Sequence, residues 1–340
     1  MEKRSRGKRE AARRSARVPC RSMTVIVRDF RTEDAGAVVR LRWACVPFQV
    51  TTEEALLFDV AHANPAKKYR LLLAEEDGEL IGSAHTGIAY DSDDPGQSSV
   101  TPQVHPERRG RGAGSLLLRT AEEHLAAEGA TSVYAWALDE PSSRAFAERH
   151  GYRPTRPAHF QRLDLAGGTL PEPPPLPPGF ELRTAADFAD DPRPLFEADA
   201  ETTSDEPSDI STDFDDYADW LNHTWNHPLL DRELTTVVMI DGRVAAFTAA
   251  QTDGRTRYAS GMTGTLRAYR GQGLAKLAKT YSLHRARAAG YTGAYTANDA
   301  ENGPMLAINR WLGYKICASE IRHVRALSRR TGEDLSCQTG

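Results

Sequence analysis

Apolar residues along this chain alternate between a period of two and a period near three and a half, and the whole alternation runs twice. Thr24 to Arg28 is predicted as a first strand. Ala37, Val38 and Leu41 then recur at helical spacing within Asp34 to Trp43, and Thr52 opens a second helix over TEEALLFDVA with a capping-box-like start. Tyr69 to Glu75 and Leu80 to Ile88 read as strands flanking Asp77-Gly78, a hairpin turn. Ser98 to His105 is a further strand. Leu117, Leu118, Ala121 and Leu125 share one helical face that ends at Gly129. Ser132 to Leu138 is a strand, Pro141 to His150 a helix stopped by Gly151, and Phe160 to Leu165 is predicted as the strand that closes the unit.

Between Gly167 and Phe180 the sequence GGTLPEPPPLPPGF has too much proline for a helix or a central strand, so it is predicted as a stiff, extended linker. The pattern then restarts. Phe180 to Arg183, Leu234 to Ile240, Arg243 to Ala250 and Arg257 to Leu266 are predicted strands, with Asp241-Gly242 as a second hairpin turn. A helix carrying Leu274, Leu277, Ala278 and Tyr281 follows and ends near Gly290. Thr292 to Ala297 is a strand, and Met305 to Leu312 a helix stopped by Gly313. Corresponding landmarks keep nearly constant separations. Gly78 and Gly242 are 164 positions apart, Arg109 and Arg270 161, and Gly151 and Gly313 162. Such agreement marks an internal duplication. The expected organisation is a tail at 1–22, a first domain at 23–166, a linker at 167–179, a second domain at 180–327 and a tail at 328–340.

The two copies share one chemical feature. VHPERRGRGAGSLL (Val104 to Leu117) and TLRAYRGQGLAKLA (Thr265 to Ala278) both run strand, arginine, glycine turn, helix, with R-G-x-G-x-[GA] in common. Glycines let the backbone turn and present bare N–H groups, and the following helix adds its free first-turn donors and positive dipole end. A pyrophosphate suits such a cradle. A dinucleotide fingerprint would need glycine at Ser115 or Lys276, and G-x-x-x-x-G-K-[ST] is absent. The stretch resembles the acyl-CoA loop, [QR]-x-x-G-x-[GA], of the GNAT superfamily of N-acetyltransferases. That resemblance implies an α/β fold of two tandem acyl-CoA N-acyltransferase domains, each a mixed, mainly antiparallel sheet flanked by helices. It implies acetyl-CoA as donor, held by Val104, His105, Arg109, Gly110, Gly112, Gly114 and Ser115 in the first half. In the second half the corresponding residues are Thr265, Leu266, Arg270, Gly271, Gly273, Ala275 and Asn302. The tandem layout is similar to that of two-domain members such as the mycothiol synthases, although no residue identifies the acceptor.

The family's second marker, N-x-x-[AS]-x-x-x-Y-x-x-x-G-[FY], is met only in part. NGPMLAINRWLGY supplies Asn302 and Gly313-Tyr314, with Asn309 where the family has a tyrosine that protonates the leaving thiolate. EPSSRAFAERHGY has Glu140 and Ala147 at the two key places. Catalysis is therefore expected in the second half. By resemblance, a backbone N–H near Leu266 (near His105 in the first half) would polarise the thioester carbonyl. Tyr258, Asp299 and Glu301 are the candidate bases. A regulatory protein that holds CoA without turnover is the competing reading, since both halves lack the tyrosine.

Charge adds detail. The net charge of -4 is mild, but Asp187 to Asp219 holds 13 acidic residues against Arg193 alone. Two readings fit: a field that gathers a cationic amine acceptor, or a solvated acidic face. Trp220 and Trp225 beside it are core candidates. Residues 1–22 carry nine Lys/Arg against Glu2 and Glu10 without apolar periodicity, and are expected to be disordered and dispensable, with nucleic acid not the expected partner. The four cysteines have no paired or zinc spacing, so no metal is expected, and with no membrane-length apolar run the expected location is the cytoplasm.

Overall fold

The structure is a computed structural model that describes residues 24–206 and 216–327. The tails expected at 1–22 and 328–340 lie outside the described residues. The first half runs β1 (Val25–Asp29), α1 (Ala35–Cys45), α2 (Glu53–His62), β2 (Arg70–Glu76), β3 (Glu79–Ile88), β4 (Gln97–Val104), α3 (Ala113–Ala127), β5 (Ser132–Leu138), α4 (Pro141–Arg149) and β6 (Arg153–Asp164). The second runs β7 (Phe180–Thr184), α5 (Arg193–Thr203), α6 (Tyr217–Trp220), β8 (Thr236–Ile240), β9 (Arg243–Thr252), β10 (Arg257–Thr265), α7 (Leu274–Ala288), β11 (Gly293–Asp299), α8 (Gly303–Leu312) and β12 (Lys315–Ala326).

Local chemistry explains the elements. At both hairpin turns Asp and Gly take positive φ (Asp77 51°, Gly78 83°; Asp241 50°, Gly242 76°), the conformation that matches strand twist in a two-residue loop. Side chains alternate across the strands, so β2 serves two cores. Leu71 and Leu73 pack on Val38, Val39 and Leu56 of α1 and α2, whereas Leu72 and Ala74 pack on Leu117, Ala121 and Leu125 of α3. In the second half, Val237 and Met239 of β8 face Phe196, Trp220 and Trp225, and Val238 faces Leu277 and Ala278 of α7. Trp220 and Trp225 are buried core residues.

The sheet departs from the expected layout. All twelve strands of the described residues form one sheet in the order β1-β2-β3-β4-β5-β12-β6-β11-β10-β9-β8-β7. The strand expected to close the first unit, β6, pairs antiparallel with β11 of the second half. The first half is closed instead by β12, which lies antiparallel to β5 on one side and β6 on the other. The last strands are thus exchanged. The β12 segment has no clear alternation, and β6 contains Pro154 and Pro157, so neither strand was visible at full length in the sequence. Residues 169–177 of the proline-rich linker form neither helix nor strand. The linker is pinned along α7: Tyr281 donates to Pro174 O at 3.2 Å, and Arg287 donates to Leu165 O at 2.8 Å and to Gly168 O at 2.5 Å.

Because each half lacks its own closing strand, neither should fold alone. Fragments 24–172 and 173–327, expressed separately, are expected to be insoluble or to lack a cooperative melt. Expressed together, they should co-purify at equal stoichiometry. Independent folding of either fragment would contradict the exchange.

Candidate functional site

Both glycine loops fold alike. Gly110 and Gly112 have φ of 81° and 89°, Gly271 and Gly273 of 77° and 76°, and a β-carbon on any of the four would meet nothing within 4 Å. The left-handed backbone turns the chain sharply, and the open space before it leaves room for a ligand against the main chain. Gly112 caps α3 and Gly273 caps α7, so each helix offers its unpaired first-turn donors there. The loop arginines latch back to the preceding strands: Arg109 Nε donates to Val104 O at 3.4 Å and Arg270 Nε to Thr265 O at 3.2 Å. Each also meets a carboxylate. Arg109 pairs with Glu140 at 3.1 Å, whereas Arg270 and Arg267 both bind Asp205, whose carboxyl is held down at about 2 by those guanidiniums. Ser115 is hydrogen-bonded to His150 at 3.0 Å, and Gly114 packs under Phe146.

Beyond each loop the strands part. β4 pairs with β5 only as far as Ser99↔Tyr134, and β10 with β11 only as far as Ala259↔Tyr295. Both splits open into one cavity of about 1370 Å³, walled by the two halves together. The first loop contributes Gly110, Gly112 and Ser115 to its wall, and the second half contributes Ser260, Met262, Asn298 and Lys279. From the exchanged strand β12 come Glu320 and His323.

The two splits differ in one respect. β4 runs in regular register with β3, and its Pro102, opposite Ala84, carries no N–H. β10 shifts register against β9 between Ser260 and Thr263, so Gly261 and Met262 together oppose Ala249. A bulge of this kind leaves one residue outside the ladder. Gly261 and Met262 lie where β10 leaves β11, and both line the cavity.

Several residues singled out from the sequence are placed otherwise than expected. The N–H of Leu266 is donated to Ala245 O at 3.0 Å and that of His105 to Ile81 O at 2.9 Å, so neither is free for a carbonyl. The register shift lies three to five residues earlier than Leu266. Tyr258 is fully buried, its hydroxyl 2.7 Å from Ser282 Oγ, and burial raises its pKa further from a base's range. Asp299 is held by Arg156 of the exchanged β6 at 3.0 Å, and Glu301 is exposed. Asn302 caps α8, its Oδ1 accepting from Met305 N at 3.2 Å. Asn309 is fully buried, and its Nδ2 donates to Asn298 Oδ1 at 2.7 Å. Gln161 of β6 donates to the same oxygen at 3.3 Å.

The acidic stretch is largely committed to structure. Residues 207–215 lie outside the described residues. Of the rest, Asp187 accepts from Thr184 N and Asp216 from Ala218 N. Asp205 holds the loop arginines, and Asp219 reaches Asn64 at 2.8 Å and Tyr90 at 2.7 Å in the other half. Asp199 is buried, bonded to Trp220 Nε1 at 2.8 Å, and burial lifts its carboxyl to about 6. These acids are capping, paired or buried, which favours the second of the two readings, a structural acidic face, for the described part of the stretch.

Composition gave no sign of Glu320, Asn298 or Lys279. The repeat does carry a signal for Lys279, which lies 161 positions after Leu118 and so replaces a leucine of the first copy. No group of His, Cys, Asp and Glu suited to a metal is found among the described residues. No described helix is long and apolar enough to cross a membrane.

The model of the acetyltransferase (GNAT) family matches this chain twice, over residues 36–152 and 193–314. The chain belongs to that family. The matches stop just short of β6 and β12, the two strands that are exchanged. The chain is 45% identical over 123 residues to a mycothiol acetyltransferase of Nocardia farcinica, an alignment covering 36% of this chain and 38% of that protein. It is 26% identical over 293 residues to one of Nocardiopsis dassonvillei, covering 79% of this chain and 86% of the relative. Among solved structures, a GCN5-related N-acetyltransferase from Sphaerobacter thermophilus superposes with a TM-score of 0.66 at 24% identity, over 89% of this chain and 95% of that one. A tandem GNAT protein from the clavulanic acid biosynthesis pathway has a TM-score of 0.66 at 19% identity, over 89% and 98%. Both share the tandem α/β fold.

Burial pushes Glu320 from 4.5 up to about 7. The folded chain therefore keeps a proton that the unfolded chain has already released, and this residue's contribution is fully present below pH 4.5 and lost as pH rises to about 7. Relative to wild type, Glu320→Gln should raise stability at pH 8 by on the order of 2 kcal/mol and change it little at pH 4.5. Denaturant melts at the two pH values measure it.

Proposed function

We propose that this protein is an acetyl-CoA-dependent N-acetyltransferase acting on a small-molecule primary amine, with transfer in the cleft of the second half. The observation that carries the choice of half is the bulge at Gly261 and Met262, matched in the first half by a regular strand with Pro102. Relatives named mycothiol acetyltransferase support a small-molecule acceptor and acetyl as the transferred group.

The fit to a CoA donor rests on the four open, left-handed loop glycines, where side chains would intrude on the phosphates. In the second half, Gly271 and Gly273 would let the first-turn N–H groups of α7 meet the pyrophosphate, and the split between β10 and β11 would take the pantetheine arm. A main-chain N–H of the bulge would donate to the thioester oxygen as negative charge develops on it when the amine attacks. Asn309, fixed through Asn298, stands beside the cleft where the family's motif has a tyrosine. The cavity holds both reactants in one place, so the attack is direct and its rate comes largely from proximity. The amine's proton passes to water in the cavity.

In this reading Gly273→Asp places a side chain and a negative charge in the cradle used for transfer. CoA release from acetyl-CoA with a panel of primary amines should fall at least about 100-fold further in Gly273→Asp than in Gly112→Asp. Titration calorimetry should show that each variant loses one acetyl-CoA site. If Gly112→Asp is the variant that abolishes turnover, the active half is the first. Binding without CoA release from any amine would favour a CoA-holding regulatory protein.

A further inference from the structure

Lys279 lies on α7, two turns beyond the second glycine loop, and is 1% exposed. Its ammonium makes no hydrogen bond or ion pair with any described residue. Its recorded contact is the ring of Tyr314, with Nζ 5.8 Å from the centroid. The side chain lines the cavity together with Ser260 of β10 and Asn298 of β11. Two further polar atoms in this region have no partner among the described residues: Tyr314 Oη and Asn309 Oδ1, on residues that are 5% and 0% exposed. A buried, unpaired amine is costly in a fold, and an apolar side chain of similar size is the usual alternative. The first copy has that alternative, Leu118, which lines the cavity at the corresponding place.

The second split also lacks the group that would protonate a departing thiolate. The position is held by Asn309, whose amide is committed to Asn298 and has no acidic proton. We infer that Lys279 supplies that proton: it is the general acid for the CoA leaving group in the second cleft. This inference rests on the reading of that cleft as the transfer site. As the acceptor nitrogen bonds to the acetyl carbon, the carbon–sulfur bond breaks and its electron pair goes to sulfur. The Lys279 ammonium gives its proton to that sulfur and becomes a neutral amine. It recovers a proton from cavity water, which has taken the one released by the acceptor.

The surroundings suit the task. Burial, without any opposing ion pair, brings the Lys279 ammonium down to about 7, within reach of a thiol's ordinary value of about 8.5. The titratable groups at its walls are Tyr314, from the segment after α8, and beyond it Tyr258 of β10. Both are raised by burial and stay protonated near neutrality. Asp199 of α5, Glu206 and the histidines His223 and His227 stand on the same cavity's second-half wall, and Glu320 and His323 of β12 stand on its wall as well.

The test needs no knowledge of the acceptor. In the Gly112→Asp protein, which confines CoA to the second cleft, the ultraviolet absorbance of bound CoA thiolate is followed against pH. With Lys279 present the bound thiol should ionise at lower pH than in Lys279→Met or Lys279→Leu, by at least one unit, or about tenfold in thiolate at a fixed pH. Desulfo-CoA should bind all three proteins within about twofold, because Lys279 acts at sulfur and not at the pyrophosphate. Lys279→Arg should keep the lowered thiol midpoint through its charge but lose CoA release with the amine panel, because a guanidinium does not give up its proton. Both apolar variants should melt at or above the parent, since they remove a buried unpaired charge, and Leu already occupies the equivalent site in the first copy. A thiol midpoint that stays put in Lys279→Met and Lys279→Leu while CoA still binds overturns the role of Lys279 alone. Failure of the Gly112→Asp protein to bind CoA at all overturns the assignment of the second cleft, and this proposal with it.

Discussion

The exchange of last strands is the constraint on which the rest of the molecule depends. With β12 between β5 and β6, and β6 against β11, the two copies share a backbone hydrogen-bond ladder through the middle of the sheet. A ladder in the middle of a sheet cannot be opened without leaving many unpaired donors and acceptors. The halves therefore keep a fixed relation, reinforced where Asp219 meets Asn64 and Tyr90 and where Arg257 donates to Pro47 O at 2.6 Å. The same exchange merges the two splits into one cavity and sets residues of each half against the other, Arg156 onto Asp299 and Glu320 beside β5 among them.

On that shared frame the two clefts have diverged by small changes. Both keep the glycine cradle and the arginine latch, which need only backbone geometry. The chemical parts differ. The second strand has gained one residue relative to the first, which creates the bulge, and Lys279 has replaced a leucine. The first strand has Pro102, without an N–H, in the corresponding stretch.

Much of this was legible in the sequence. The Asp-Gly hairpins, the glycine loops, the helix stops at Gly129 and Gly313 and the tandem α/β layout are local consequences of residue type and spacing, and they stand as read. What failed was non-local. Strand exchange is decided by which edge β6 and β12 meet, and no periodicity reports that. The bulge donor was sought at Leu266, but a one-residue shift of register is set by pairing with β9 and leaves no mark on β10 alone. Tyr258 was considered at the cleft by resemblance to the family; its side chain faces Ser282 and the core. The acidic stretch left two readings open, a field or a solvated face, because composition counts charges and not their partners.

The central claim is that the bulged strand of the second half receives the thioester. A crystal structure with a non-hydrolysable acetonyl analogue of acetyl-CoA tests it most directly. The analogue's carbonyl oxygen should lie about 2.7–3.1 Å from a main-chain N–H of Gly261 or Met262, with its pyrophosphate on Gly271 and Gly273. An analogue seated only in the first cleft, its carbonyl beside Pro102, would contradict the account.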